Sequence, residues 1–130
     1  MILESWTYRV EAGKIAEFSR AVGLEPSSVA PPSFTMAAGA DGIERLLARL
    51  ALDKRNAVHG EQSFEPLAPI VAGMLLRAEG RVVSDVVKEG RRGGRMRVVV
   101  IETLWHDAEA DRLVLIERMT VIEKDQSDAA

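Results

Sequence analysis

The chain has no cysteine, which excludes disulfides, thiolate nucleophiles and thiolate metal sites and fits a reducing compartment. Histidine is scarce, with 2 residues in 130. Two isolated imidazoles, His59 and His106, do not make a ligand set, so neither a metal nor a cofactor is expected. Long hydrophobic runs are also missing. None approaches the ~20 residues needed to span a bilayer, and Glu4, Arg9 and Glu11 interrupt the opening where a signal peptide would be apolar. Positive charge is not in excess. A net charge of −3 argues against general affinity for nucleic acid, because neutralising phosphates takes a basic surface. Nucleic acid and membrane are therefore not expected partners, and the cytoplasm is the default location. What is present is ordinary for a globular protein: 47% hydrophobic and 28% charged residues in 130, enough for one domain and one core.

Periodicity divides the chain. Glu4 to Val10 alternates, with Trp6, Tyr8 and Val10 on one face, which predicts a short strand. Ile15, Phe18 and Val22 then recur at helical spacing, and Gly23 is a plausible stop. Pro26, Pro31 and Pro32 make residues 24–33 a loop. The strongest helical signal follows: Ile43, Leu46, Leu47 and Leu50, widened by Ala40, Ala48 and Ala51. This predicts a mostly buried helix over about 41–53. The remainder reads as strands over 57–65, 74–88, 95–106 and 112–122, with turns at Glu89–Gly94 and Asp107–Asp111. A polar tail begins near 124. One apolar helix has to be enclosed, and a curled antiparallel sheet of about five strands can do it. The expected architecture is α+β, a single hot-dog domain over 1–130 with 124–130 frayed. Its open sheet edge favours pairing.

Four segments carry a family resemblance: APPSF (Ala30–Phe34), VHGEQSFE (Val58–Glu65), PIVAG (Pro69–Gly73) and EGRRGGRM (Glu89–Met96). With the opening YRVEAGKIAEFSRAVG (Tyr8–Gly23), their order and spacing resemble the N-terminal hot-dog domain of MaoC-like dehydratases, including mycobacterial hydroxyacyl-thioester dehydratase subunits. The resemblance implies hydration of enoyl thioesters, or dehydration of 3-hydroxyacyl thioesters, on coenzyme A or acyl carrier protein. That chemistry uses an Asp and His in a signature resembling Gly-Asp-x-Asn-Pro-x-His. Neither His59 nor His106 has the required Asp before it. In the family the signature belongs to a second hot-dog domain or a separate subunit. The resemblance therefore implies a non-catalytic hot-dog that completes the acyl-binding site in a dimer with a signature-bearing subunit. A self-sufficient homodimeric hydratase or thioesterase, and an acyl-thioester binding module without chemistry, are the alternatives.

The candidate residues follow. His59 and Glu61 lie two apart on a strand and should share a face, where a carboxylate can orient an imidazole for acid/base work. Satisfying backbone or helix-end partners is the plainer role for both. Gln62, Arg91, Arg92 and Arg95 are candidates for binding substrate. With Lys88 and Arg97, the arginines form a basic cluster able to take phosphates or an acidic carrier surface; a solvated turn is the plainer reading. Asp41 and Glu44 can supply a thioesterase carboxylate, or simply complement a helix dipole. Trp6 and Trp105 either line an acyl channel or fill the core.

Overall fold

The computed structural model describes residues 1–91 and 94–124. The first strand, β1, runs Glu4–Arg9, with Trp6 and Tyr8 turned inward as the alternation requires. Helix α1, Ala12–Ala21, buries Ile15 and Ser19. It closes through Gly23 at φ +80, a conformation natural to glycine. Val22 does not share the buried side: it is exposed beyond the last helical turn, where Ser19 occupies the covered position. The proline-rich loop touches the body at a bridge between Val29 and Val71. It ends in a 3-10 turn, Pro32–Phe34, that leads into α2, Thr35–Ala38.

Helix α3 spans Ala40–Arg49. It stops short of the expected 53 because Ala51 takes a left-handed backbone, φ 54. Its burial also corrects the expectation. Gly42 and Leu46 are buried, and Ile43, Leu47 and Leu50 are half-covered, whereas Ala40, Ala48 and Ala51 face out. The alanines widened the apolar stripe in sequence, but only the branched side chains meet the sheet. Two glycines permit that contact. A Cβ on Gly42 would lie 2.2 Å from Trp6, and one on Gly80 would lie 2.6 Å from Leu46.

The remaining strands are β2 (Ala57–Pro66), β3 (Leu75–Glu89), β4 (Arg95–Asp107) and β5 (Arg112–Lys124). All pairings are antiparallel, in the order β1-β3-β4-β5-β2. The sheet curls over the inner flank of α3, which is the hot-dog arrangement. Three of its four ladders carry a register shift, at His59/Glu61, Val82/Ser84 and Trp105/His106; such bulges add local twist. The core falls into two clusters. One surrounds Trp105, Phe34, Ile15 and Leu115; the other joins Leu46 to Val99, Ile101 and Val121. Trp6 meets Trp105 edge-on at 5.8 Å, a favoured aromatic geometry. No helix among the described residues is long and apolar enough to cross a membrane. The tail expected from 124 lies, beyond Lys124, outside the described residues.

Candidate functional site

Strand β2 is an edge, and its bulge decides which side chains meet. His59 pairs with Val121 and Gln62 with Met119, both in rows that face the core, while Glu61 pairs with Thr120 of the opposite face. The extra residue, Gly60, breaks simple alternation. The expectation that His59 and Glu61 share a face is thus corrected: His59 shares it with Gln62, and Glu61 points to the outer side. His59 Nε2 stands 2.7 Å from Gln62 Oε1. An amide oxygen only accepts, so Nε2 carries the proton. The amide nitrogen of Gln62 donates to Glu117 Oε2, and Trp105 Nε1 donates to Glu117 Oε1 at 3.0 Å. The Thr35 hydroxyl, at the start of α2, lies near this carboxyl and donates to the Pro32 carbonyl at 3.1 Å. Gln62, a candidate for meeting substrate, has both ends of its amide engaged inside the protein.

Glu117 is the functional residue that sequence reasoning missed. Its exposure is 7%, and burial pushes its carboxyl above the ordinary carboxylate range, against the nearby Thr35 hydroxyl, the hydrogen bonds from Trp105 and Gln62 and the nearby charge of His59. The signal was there: Leu115, Glu117, Met119 and Val121 form the inward row of β5, and one acid interrupts an apolar series. A second buried acid makes the contrast. Glu102, on the outer face, is also raised by burial, but Arg118 and Arg81 bond to it and bring it below the ordinary range. Two buried glutamates, one with guanidinium partners and one without any among the described residues, are thereby driven in opposite directions.

The polar chain lies between two cavities, one off each end of β2. Beyond Pro66 is an apolar one of about 260 Å³, lined by Ala30, Pro32, Pro66, Pro69, Ile70 and Leu115. The APPSF and PIVAG segments therefore converge on one hollow. At the Ala57 end is an open cavity of about 450 Å³, whose lining includes Asn56, Arg95, Arg97, Glu123 and Lys124. Of the basic cluster, Arg95 faces this cavity, while Lys88 and Arg91 are exposed. Arg97 is bound to Asp85 at 2.8 Å and to the Leu50 carbonyl at 2.7 Å, closing the end of α3. Arg92 lies outside the described residues. Asp41 is exposed, and Glu44 is held in an ion pair with Lys54 on the outer side of α3, which keeps its carboxyl below the ordinary range. His106 stands apart, its Nδ1 3.5 Å from Glu79. Trp105 is core and simultaneously a donor to the site; Trp6 packs on α3.

The family model described as FAS1-like, dehydratase domain region, matches residues 1–116. A UPF0336 protein of Clavibacter michiganensis subsp. michiganensis is 31% identical over 137 residues, covering 92% of this chain and 89% of its own. Among solved structures, the C-terminally truncated HadBC (3R-hydroxyacyl-ACP dehydratase) complex of Mycobacterium tuberculosis is similar, with TM-score 0.70 and 21% identity. That match covers 94% of this chain and 98% of the other. A MaoC-like dehydratase superposes with TM-score 0.77 at 20% identity, covering 98% of this chain but 43% of that longer one. At these identities the structural likenesses speak to the fold, which is hot-dog in each case.

Proposed function

This chain belongs to the family of the FAS1-like dehydratase domain region, a MaoC-like hot-dog family, and from that premise we propose that it is one subunit of an enoyl-thioester hydratase or 3-hydroxyacyl-thioester dehydratase. In this reading it completes the acyl-binding site, and a partner hot-dog subunit supplies the Asp and His absent from its sequence. The observation that carries the reading is the layout of β2. Near its Ala57 end lies a cavity lined by Arg95, Arg97 and Lys124 together with Asp53 and Glu123. The inner face of the strand then carries His59 and Gln62, and beyond Pro66 lies an apolar cavity, over about 30 Å of strand. That order suits a ligand with phosphate at one end, a polar thioester linkage between, and an acyl chain at the other. Because β2 is the last strand of the sheet, a site built on it is finished by whatever lies alongside. The similar HadBC structure is itself a complex, which supports the presence of a second subunit.

The test is enoyl-CoA hydration by the chain alone and after co-expression with a hot-dog subunit carrying the signature. The chain alone should be inactive, and the pair should turn over. In the pair, His59→Ala should lose less than about 10-fold, roughly 1.4 kcal/mol. The bond of His59 to Gln62, and of Gln62 in turn to Glu117, favours a second reading, in which this chain supplies its own acid/base group. Activity of the isolated chain, abolished by His59→Ala, would establish it and overturn the accessory role.

A further inference from the structure

A carboxylate accepts hydrogen bonds and donates none, and this fixes the direction of every bond in the chain from Glu117 to His59. With Glu117 ionised, Oε2 receives the Gln62 amide nitrogen, so the amide oxygen faces the imidazole. Nε2 must then be the protonated ring nitrogen. A proton on Glu117 Oε2 reverses the order. The carboxyl becomes the donor, the amide turns over to offer its oxygen, and its NH2 now faces Nε2, which has to accept. In the neutral ring the proton then sits on Nδ1. Trp105 donates to Oε1 in both states, so the carboxyl keeps its place while the chain changes direction.

We propose that Glu117 is a positioning residue for His59: through the Gln62 amide, the buried carboxyl sets whether the exposed imidazole offers an acceptor or a donor at Nδ1. The groups around the carboxyl leave it free to exist in both states. From β2 it meets Gln62 and, at a distance, the charge of His59; from β4, Trp105; and from α2, Thr35. Thr103 is its register neighbour on β4. The guanidinium groups of Arg81 and Arg118 serve Glu102 on the other face. Among the described residues Glu117 therefore lacks the arginine partner that holds Glu102 ionised, and burial favours its neutral form. His59 is exposed at the β2 edge, so the state of a carboxyl in the core is transmitted to the surface by a single amide flip. The inference concerns the chain by itself and stands apart from the subunit reading.

The test is long-range proton–nitrogen NMR of the histidine rings in the full ¹⁵N-labelled chain, at a pH where the imidazoles are neutral; a His106→Asn chain identifies the His59 signals. With Glu117 ionised, the directly protonated nitrogen should be Nε2. Glu117→Gln presents an NH2 toward Gln62, as the protonated acid presents its OH, and should move the proton to Nδ1. An unchanged tautomer in a folded Glu117→Gln chain overturns the proposal. A second measurement needs no substitution. In the wild-type chain, the side-chain carbonyl carbon of Glu117 and the amide nitrogen of Gln62 should titrate with one shared midpoint; separate midpoints overturn it equally.

Discussion

Replacing Gly42 with alanine should destabilise the fold, although alanine is the better helix former. A Cβ at position 42 would stand 2.2, 2.3 and 2.5 Å from Trp6 Cδ2, Cε2 and Cε3. Carbon atoms rest at about 3.5–4.0 Å, so helix and ring must part by more than about 1 Å. The atoms struck belong to the body of the indole ring, so rotating a flexible tip does not relieve the contact. The ring also abuts Trp105, which is fully buried. Overpacking of this kind costs about 1–3 kcal/mol, and the rigidity of both partners puts this case near the top. Alanine recovers about 1 kcal/mol of helix propensity, which leaves a net loss of about 2 kcal/mol. Urea unfolding followed by tryptophan fluorescence measures it, and the melting temperature should fall by roughly 6–10 °C. The decisive control is the Trp6→Leu background, where Gly42→Ala should be neutral or stabilising, because the clash is gone while the propensity gain remains. A neutral or stabilised Gly42→Ala in the wild-type background refutes the close packing of α3 on β1, as does an equal effect in both backgrounds.

Two further outcomes follow from charged groups. Arg97→Leu leaves the Leu50 carbonyl and Asp85 without their guanidinium and should cost about 1–2 kcal/mol at neutral pH in urea titration. Asp85 is held below its ordinary 3.8 chiefly by its hydrogen bond to Arg97, so its contribution is present above 3.8 and lost as pH falls through the lowered value; the gap between wild type and variant should narrow in acid, and a constant gap refutes the pairing. Glu117 has the opposite sign. Burial raises it above 4.5, so its contribution is full below 4.5 and is lost as pH rises through the raised folded value. Glu117→Gln, which does not titrate, should therefore gain on the wild type as pH climbs from 4.5, and parallel stability curves would contradict this.

The strands were legible because their apolar residues alternate over long stretches, as in the row Leu76, Ala78, Gly80 and Val82 of β3. The helix of Ile43, Leu46 and Leu47 was legible for the same reason at a different period. Its coverage was misjudged because alanine reads as apolar in sequence yet is small enough to face water at little cost. The site was only half legible. His59 and Gln62 were identified as candidates, but the isolated glycine at position 60, a local cue to a bulge, was not used, and which side chains meet across it depends on how β2 pairs with β5. Glu117 was overlooked because an acid in a strand reads as outward until its apolar neighbours at two-residue spacing are counted. Its partnership with Gln62 joins positions 55 apart in sequence, and no local pattern encodes that.

The strand order has a consequence for how the molecule assembles and opens. The ladders β3–β4 and β4–β5 join neighbours along the chain, so this meander can zip up with short loops to close. The pairs β1–β3 and β2–β5 must bring together residues 66–76 and 49–66 apart in register, and loop-closure entropy makes them later events in folding. The link between Gln62 and Glu117 exists only after β2 has docked, so it is made among the last contacts and released among the first. Amide exchange should accordingly protect the middle of β4 most and the two edge strands, β1 and β2, least. A subunit that paired with β2 would find its docking strand held on one side only, and by binding there would slow the opening of the whole strand.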